Sequence, residues 1–395
     1  MGRRRRLSFL FPAIIVASSI LGGVYGSGLS SAAAASSSED GIRDSVDAFT
    51  RVYALVERNF ADPVNPDRAM YKGAIPGMLR TLDPHSNFFD PHEFQILRED
   101  QRGHYFGVGM QIGVSRPASG KTIVIAPFPG SPAYRAGIRP GDVVLAVDDK
   151  PTEKLSLSEI ADLLKGPRGT RVKVTLGREG SEAPLTFNLV RDEIPRKSVP
   201  DAFWIRPGIA YVAIDSFNVN TGREMEDNLR RLGESNIQGL ILDLRENRGG
   251  LLNEAVEVAG HFLRKDQTVV SHRGRSEPEQ VFRAKTGNQG RQYPVVVLVN
   301  RNTASASEIV AGALQDHDRA WVMGENTFGK GLVQAQFPLS EDAALLLTIA
   351  RYYTPSGRLI QRDYSHRSFF DYYYHNRQED AQNSNDVKMT DGGRT

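Results

Sequence analysis

At 395 residues, with 40% hydrophobic and 24% charged side chains, the chain has the composition of a soluble globular protein and is long enough for two or three domains. Its formal net charge of +2 offers no basic field for nucleic acid, since the arginines beyond the leader are interspersed with acids. The absence of cysteine removes disulfides, thiolate catalysis, thiol-linked lipid anchors and cysteine zinc sites together.

Residues 1–38 read as a leader. Arg3 to Arg6 form a basic cluster, Leu7 to about Tyr25 is predominantly apolar and uncharged, and Ser30 to Ser38 is a run of small residues with an A-x-A-like tract at Ala32 to Ala35. This is the three-part layout of a secretory signal peptide. The apolar run is also long enough for an uncleaved single-span membrane anchor. Either outcome predicts an exported body, periplasmic or in the cell envelope, or anchored to the outer face of the inner membrane. The arginines resemble a twin-arginine signal only loosely, and that route is not assigned.

Residues 39–102 read as a helical N-terminal segment. Val46, Phe49, Val52, Tyr53 and Val56 recur with a period near 3.6, and Ala69, Gly73, Ile75 and Leu79 predict a second short helix before a turn at Asp83-Pro84. His85 and His92 flank Asp90 and Glu93, residue types that hold metals, but the stretch is loop-like and lacks a ligand spacing such as H-E-x-x-H. It reads as a turn with solvated polar groups, and neither metal nor cofactor is predicted. A segment of this kind packs on the body or on a second subunit.

From Gly103 the pattern changes to strands. HYFGVGMQIGV alternates and carries three glycines, KTIVIAPFPGSPAYRAGIRPGDVVLAVDDKP runs strand, turn, short helix, turn, strand, and a helix is predicted at Leu157 to Leu164 before strands at Arg171 to Leu176 and Pro184 to Val190. The order of elements and the phrases GSPAYRAGIRPGDVVLAVDDKP and SEIADLLKGPRGTRVKVTL resemble a PDZ domain over residues 103–191. That family adds a peptide C-terminus as a strand to an open sheet edge and takes the terminal carboxylate on backbone N–H groups of a glycine-containing loop. The matching loop here contains Gly107, Val108, Gly109 and Met110, with Val108 and Met110 offering apolar side chains to a pocket. Without that order of elements, the same loop reads as an ordinary hairpin.

Residues 192–361 form the third part. A strand pair is predicted in Asp201 to Phe217, a helix at Gly222 to Leu232, an apolar strand GLILDLR at Gly239 to Arg245, a helix from Leu251 to Leu263, a second apolar strand YPVVVLVN at Tyr293 to Asn300, and a helix at Ser305 to His317. Alternating apolar strands and helices predict an α/β core with a largely buried sheet. Reactive groups in such sheets collect at loops just beyond strand ends, where both 247–250 and 302–305 fall.

Ser305 stands where a loop meets a helix, so its hydroxyl can be presented among free N–H groups that favour developing negative charge. The N–H of Ala306 would serve as one oxyanion donor and that of Gly249 or Gly250 as the other, glycine allowing backbone close to substrate. His261, His272 and His317 form no evident Ser-His-Asp pattern, whereas Lys330 lies between Gly329 and Gly331. A lysine acts as base only when neutral, which requires its pKa to fall from about 10.4 toward 7 or 8 by burial without a paired carboxylate. If Lys330 to Gln336 is a strand, Lys330, Leu332 and Gln334 share a face, and the Gln334 amide can aim the lysine without adding charge. On chemistry alone Ser307 competes as nucleophile, and Ser305-x-x-Glu308 is equally a helix capping box.

NTASASEIVAGALQD at Asn302 to Asp316, GENTFGKGLVQ at Gly324 to Gln334, DLRENRGG at Asp243 to Gly250, the preceding PDZ-like region and LDPHS at Leu82 to Ser86 together closely resemble the C-terminal processing, or tail-specific, serine peptidases over about Asp40 to Gln361. The resemblance implies a Clp protease/crotonase-like α/β core with an inserted PDZ domain. It implies Ser305 as nucleophile, Lys330 as base and Gln334 as its orienting residue, acting on protein substrates with accessible C-termini through an acyl-enzyme. It further implies a PDZ gate, a homodimer through terminal helices, and room for a regulatory adaptor. The rival of another class is a PDZ-bearing binding or scaffold protein on an inactive peptidase core, against which the intact Ser305, Lys330 and Gln334 speak. Two departures stand out. Arg248 occupies a place where proline often precedes the glycines, and residues 362–395, rich in Tyr, Asn, Asp and Gln, read as an extended or disordered polar tail.

Overall fold

The computed structural model describes residues 40–115, 120–339, 342–365, 369–373 and 387–395; the leader's basic cluster and apolar run lie outside them. Among the described residues no helix is long and apolar enough to cross a membrane. The chain divides into two units, Met1–Ile75 and Pro76–Thr395. In the first, helix α1 (40–59) carries the expected apolar period, and Val46, Phe49, Val52 and Val56 are exposed along it, as are Ile42 and Leu55. The second expected helix opens as a wider π-helix over Arg68–Ala74.

The second unit takes up the chain in α2 (Ile75–Arg80) and turns at the buried Asp83, whose carboxylate accepts from the N–H groups of His85 and Ser86 at 2.7 and 2.8 Å. Strand β1 (Asn87–Phe89) follows, then α3 (Pro91–Arg102), a helix inside the stretch expected to be helical, whose first turn takes up the residues expected to be loop-like. Asp90 and Glu93, two of the residues with metal-ligand chemistry, are its capping box: Asp90 accepts the Glu93 N–H at 2.9 Å and Glu93 accepts the Asp90 N–H at 3.2 Å.

Two connections lead into and out of the PDZ domain, and they pair with each other: β2 (His104–Gly107) runs antiparallel to the exit strand at Asp192–Pro195. Between them lie β3 (Met110–Val114), β4 (Thr122–Pro127), helix α4 (Pro132–Arg135), β5 (Val143–Val147), β6 (Lys150–Pro151), α5 (Leu157–Leu164), β7 (Arg171–Gly177) and β8 (Leu185–Val190), with the exit strand numbered β9. The main sheet order is β3-β4-β5-β7-β8, so β3 has a partner on one side only. Val108, Val124, Ile160, Val172, Val174 and Leu176 form the core of this domain.

The larger core holds two sheets. In the first, β10 (Ala202–Arg206) and β11 (Ile209–Ala213) make an antiparallel hairpin, and β11, β12 (Gly239–Asp243), β15 (Val295–Val299) and β16 (Ala320–Gly324) run parallel in that order. Helices α6 (Thr221–Arg231), α7 (Leu252–Gly260) and α8 (Ala306–Asp316) cover it, burying Leu242, Val258, Val297 and Val310 in one apolar cluster. The second sheet joins β13 (Thr268–Arg273), β14 (Gln280–Arg283), β17 (Leu332–Pro338) and β18 (Ala344–Tyr353), with β1 added against β18. The three parallel strands β12, β15 and β16 each end in a loop on the same side, and those loops carry Asn247 to Gly250, Ser305 and Lys330.

The tail differs from its expectation wherever it is described. Helix α9 (Phe369–Tyr373) buries Tyr372, and at residues 387–395 Asp391 N–H donates to the Asp316 carbonyl at 2.8 Å while the Arg394 guanidinium lies 4.3 Å from the Trp321 ring centroid. The aromatic and charged residues that make this stretch polar on average are specific partners here, which composition does not register.

Candidate active site

Beyond β15 the chain makes a tight passage into α8. Thr303 Oγ1 donates to the Leu244 carbonyl at 2.8 Å and the Ala304 N–H donates to the Asn247 carbonyl at 2.9 Å, so this loop is stitched to the one after β12. Ser305 is then forced to φ 57°, ψ −115°, a conformation that costs a non-glycine residue about 1–3 kcal/mol. Its carbonyl accepts the Glu308 N–H at 2.9 Å. Ser307, the competing serine, is fully buried and its Oγ donates to the Asn247 carbonyl at 3.2 Å. Only Ser305 of the two lines the cleft described below.

Asn247 is the hinge between these loops. Its side chain donates to the Ile214 carbonyl at 2.6 Å and accepts the Gly249 N–H at 2.8 Å. Of the two glycines considered as donors, Gly249 thus has its N–H already engaged. The N–H groups of Gly250 and Ala306 have no acceptor among the described residues. Both glycines are required. Gly249, at φ 96°, lies so close to the serine that a Cβ would stand 2.7 Å from Ser305 Cβ and 2.9 Å from Ala306 N. Gly250, at φ 146°, would place one 2.1 Å from the Phe217 carbonyl oxygen.

The third loop brings Lys330 to the same cleft. The strand begins at Leu332, so Lys330 precedes it and the expected run of alternation from Lys330 is broken, with a further register shift at Val333 and Gln334. Lys330 and Gln334 nevertheless face one cavity of about 670 Å³ together with His85, Arg248, Gly250 and Ser305. Burial holds the Lys330 ammonium below the ordinary lysine value, against the pull of the Asp83 and Glu308 carboxylates. No ion pair holds its side chain among the described residues. Gln334 Nε2 donates to the His85 carbonyl at 2.7 Å.

Glu308 joins the walls. Oε2 accepts from the N–H groups of Ser305 and Lys330 at 2.8 and 2.9 Å, and Oε1 from Gly329 N–H and Thr327 Oγ1, both at 2.7 Å. Burial pushes its carboxyl up while these donors oppose the shift. The carboxylate expected at most to cap a helix thus registers the Ser305 loop against the Lys330 loop.

His85 is the residue that sequence reasoning placed wrongly in emphasis. It lines the cleft, which Asp90, His92 and Glu93 do not, and His92 meets Asp162 of α5 at 3.1 Å. Burial and Lys330 lower the His85 pKa to about 3, so it is neutral at ordinary pH. Among the described residues no three His, Cys, Asp or Glu gather as a metal site. The signal that could have found His85 was the DPHS turn itself, where Asp83 fixes the backbone whose carbonyl then holds Gln334.

The second candidate site lies between β3 and α5. A small pocket is lined by Tyr105, Val108, Gly109, Met110, Leu164 and Lys165, so three of the four loop residues expected there are present and Gly107 is not among them. Gly107 instead pairs with Asp192 in the connecting ribbon. The N–H groups of Val108 and Gly109 have no acceptor among the described residues, and the outer edge of β3 is unpaired in its sheet. An extended peptide can add there with its carboxylate on the loop.

The sequence matches the model of peptidase family S41 over residues 208–365 and a PDZ-domain model over residues 123–178. It is 38% identical over 300 residues to the carboxy-terminal-processing protease of Bartonella bacilliformis, spanning 75% of this chain and 68% of that protein. It is 41% identical over 293 residues to the carboxyl-terminal-processing protease of Synechocystis sp., spanning 73% and 68%. Among solved structures it is similar to the photosystem II D1 C-terminal processing protease, with 33% identity, a TM-score of 0.43, and coverage of 78% of this chain and 83% of that one.

Proposed function

We propose that this chain, which belongs to peptidase family S41 and is a C-terminal processing protease with a PDZ domain, cleaves polypeptides with a Ser305–Lys330 dyad. The observation that carries this reading is the convergence of three strand-end loops on one cleft, where Ser305 and Lys330 face the same space and Ser307 does not. Neutral Lys330 takes the proton of the Ser305 hydroxyl as Oγ bonds to the scissile carbonyl carbon. The carbonyl oxygen becomes an oxyanion and accepts from the N–H groups of Ala306 and Gly250, a reading supported by their having no other acceptor among the described residues. The lysine then gives its proton to the leaving amine, the C–N bond breaks and an ester to Ser305 remains. Water, deprotonated by the same lysine, hydrolyses that ester. Gln334, with its amide nitrogen held by His85, offers its oxygen to orient the ammonium.

Substrate C-termini bind the PDZ pocket, with the carboxylate on the N–H groups of Val108 and Gly109 and the side chain among Met110, Leu164 and Ile112. The basic and apolar leader supports export, with the body periplasmic or in the cell envelope. The exposed apolar side of α1 supports a homodimer.

The test is digestion of an unfolded protein by wild type, Ser305→Ala and Lys330→Ala. Both variants are expected to lose activity by about 10⁴-fold or more, as when either member of a nucleophile–base pair is removed. Equal cleavage by all three would refute the mechanism, and loss with Ser307→Ala instead would reassign the nucleophile.

A further inference from the structure

Lys330 is flanked by two glycines, and the next segment of chain in space grips both of them. Gln361 Oε1 accepts the Gly331 N–H at 2.9 Å, and the Arg362 N–H donates to the Gly329 carbonyl at 3.0 Å. Neither glycine tolerates a side chain against this segment: a Cβ on Gly331 would stand 2.5 Å from the Gln361 nitrogen, and one on Gly329 would stand 2.9 Å from Arg362 Cβ. The other amide atom of Gln361, Nε2, donates to the hydroxyl of Tyr372 at 3.0 Å. That hydroxyl lies 2.9 Å from Nε2 of His85, whose carbonyl fixes the Gln334 amide.

The partners assign the protons on this chain of bonds. His85 is neutral, held near a pKa of about 3 by burial and by Lys330. The Tyr373 hydroxyl donates to the Pro84 carbonyl at 2.8 Å, so at 3.2 Å from His85 Nδ1 it can only accept, and Nδ1 carries the proton. His85 Nε2 is then an acceptor, Tyr372 donates to it, and the phenol oxygen is left to accept from Gln361 and from the Arg362 guanidinium. The ring packs against His85 and Phe328. The Arg362 guanidinium lies 4.2 Å from the Tyr372 ring centroid and 4.3 Å from that of Phe328, and Tyr372 itself is only 2% exposed.

We propose that Tyr372 is a positioning residue for the reaction: its one hydroxyl ties the Lys330 loop, through Gln361, to the Gln334 amide, through His85, and its ring keeps water from the lysine side of the cleft. Tyr372 touches no reacting atom; it acts through the residues that do. The inference rests on the reading of Lys330 as base. The charged groups that act on Lys330 are the Asp83 and Glu308 carboxylates, which favour its ammonium, while the Arg362 guanidinium acts on His85. Loosening the aromatic side admits water and leaves both carboxylates in place, so the lysine pKa rises toward its ordinary value.

The experiment measures kcat/KM of the full chain on a peptide substrate from about pH 6 to about pH 10, the range over which a depressed lysine titrates. Tyr372→Phe keeps the ring and removes the hydroxyl. It is expected to move the acid limb up by about half a unit, lowering kcat/KM about threefold at fixed pH on the limb and recovering at the alkaline end. Gln361→Leu breaks the same frame from the other side, and the double variant is expected to shift no further than either single one. A melting temperature for each variant accompanies the profiles. A wild-type profile in Tyr372→Phe, or a uniform loss at every pH with the limb unmoved, overturns the proposal. Lys330→Ala measured alongside separates the two readings: activity in that variant overturns the base assignment itself, whereas an inactive Lys330→Ala with an unshifted Tyr372→Phe limb overturns only the role of Tyr372.

Discussion

The two walls of the cleft are built by opposite means. The Ser305 wall is local: a strand, a strained turn and a helix N-terminus deliver the hydroxyl, and the neighbouring loop after β12 supplies the glycines and the Asn247 bonds. The Lys330 wall is assembled from a distance. Its loop is held by Glu308 on one side and by Gln361 and Arg362 on the other, while Gln334 depends on His85, 249 residues away in sequence. A nucleophile needs a position, which local backbone provides. A lysine base needs an environment that removes its charge, and only packing from several segments provides one.

Glu308 is the side chain common to both walls, so its removal breaks the comparison most directly. Glu308→Ala leaves the N–H groups of Ser305, Gly329 and Lys330 without their acceptor. We expect kcat/KM to fall by about 10²-fold, the cost of misplaced reacting groups, and stability to fall by about 2–4 kcal/mol, read from denaturant unfolding. Activity near wild type would mean the two walls are registered without it.

The next effect reads the Lys330 wall alone. A lysine with a lowered folded pKa leaves the unfolded chain holding more protons between that value and the ordinary one near about 10.4, so stability rises with pH there. Lys330→Met removes the penalty. Its unfolding free energy should exceed that of wild type most below the depressed pKa, and the gain should shrink as pH rises toward the ordinary lysine value. Parallel curves for the two proteins would show that burial does not discharge this lysine.

The smallest effect sharpens the Ser305 wall. Ser307→Ala loses one hydrogen bond to the Asn247 carbonyl, so unfolding should cost about 1 kcal/mol less while kcat/KM stays within about twofold. A loss approaching that of Ser305→Ala would undo the assignment of the two serines.

Much of the core was legible because its signals are local. The apolar runs at 239–245 and 293–300 became β12 and β15, and the helices after them begin within a residue or two of their expected starts. Sequence chemistry could not separate Ser305 from Ser307, since both precede or open the same helix; burial separates them. Nor could it see that Gly249 is engaged by Asn247, because an asparagine two residues upstream in a turn gives no periodic signal. The start of helix α3 was missed for a like reason: its capping box reads as a turn with solvated polar groups, although the segment up to about Arg102 reads as helical.

The sequence by itself determined the motifs and their chemistry: a serine at a helix start, a lysine between glycines, a glutamine four residues on, and a glycine loop at a strand end. These depend on residue type and short spacing, which the chain carries without folding. Tertiary structure alone decided which serine faces the cleft, which glycine keeps a free N–H, and what surrounds the lysine. Those are questions of burial and hydrogen-bond partnership among segments as far apart as His85, Glu308, Gln334 and Tyr372, and a linear pattern does not contain them.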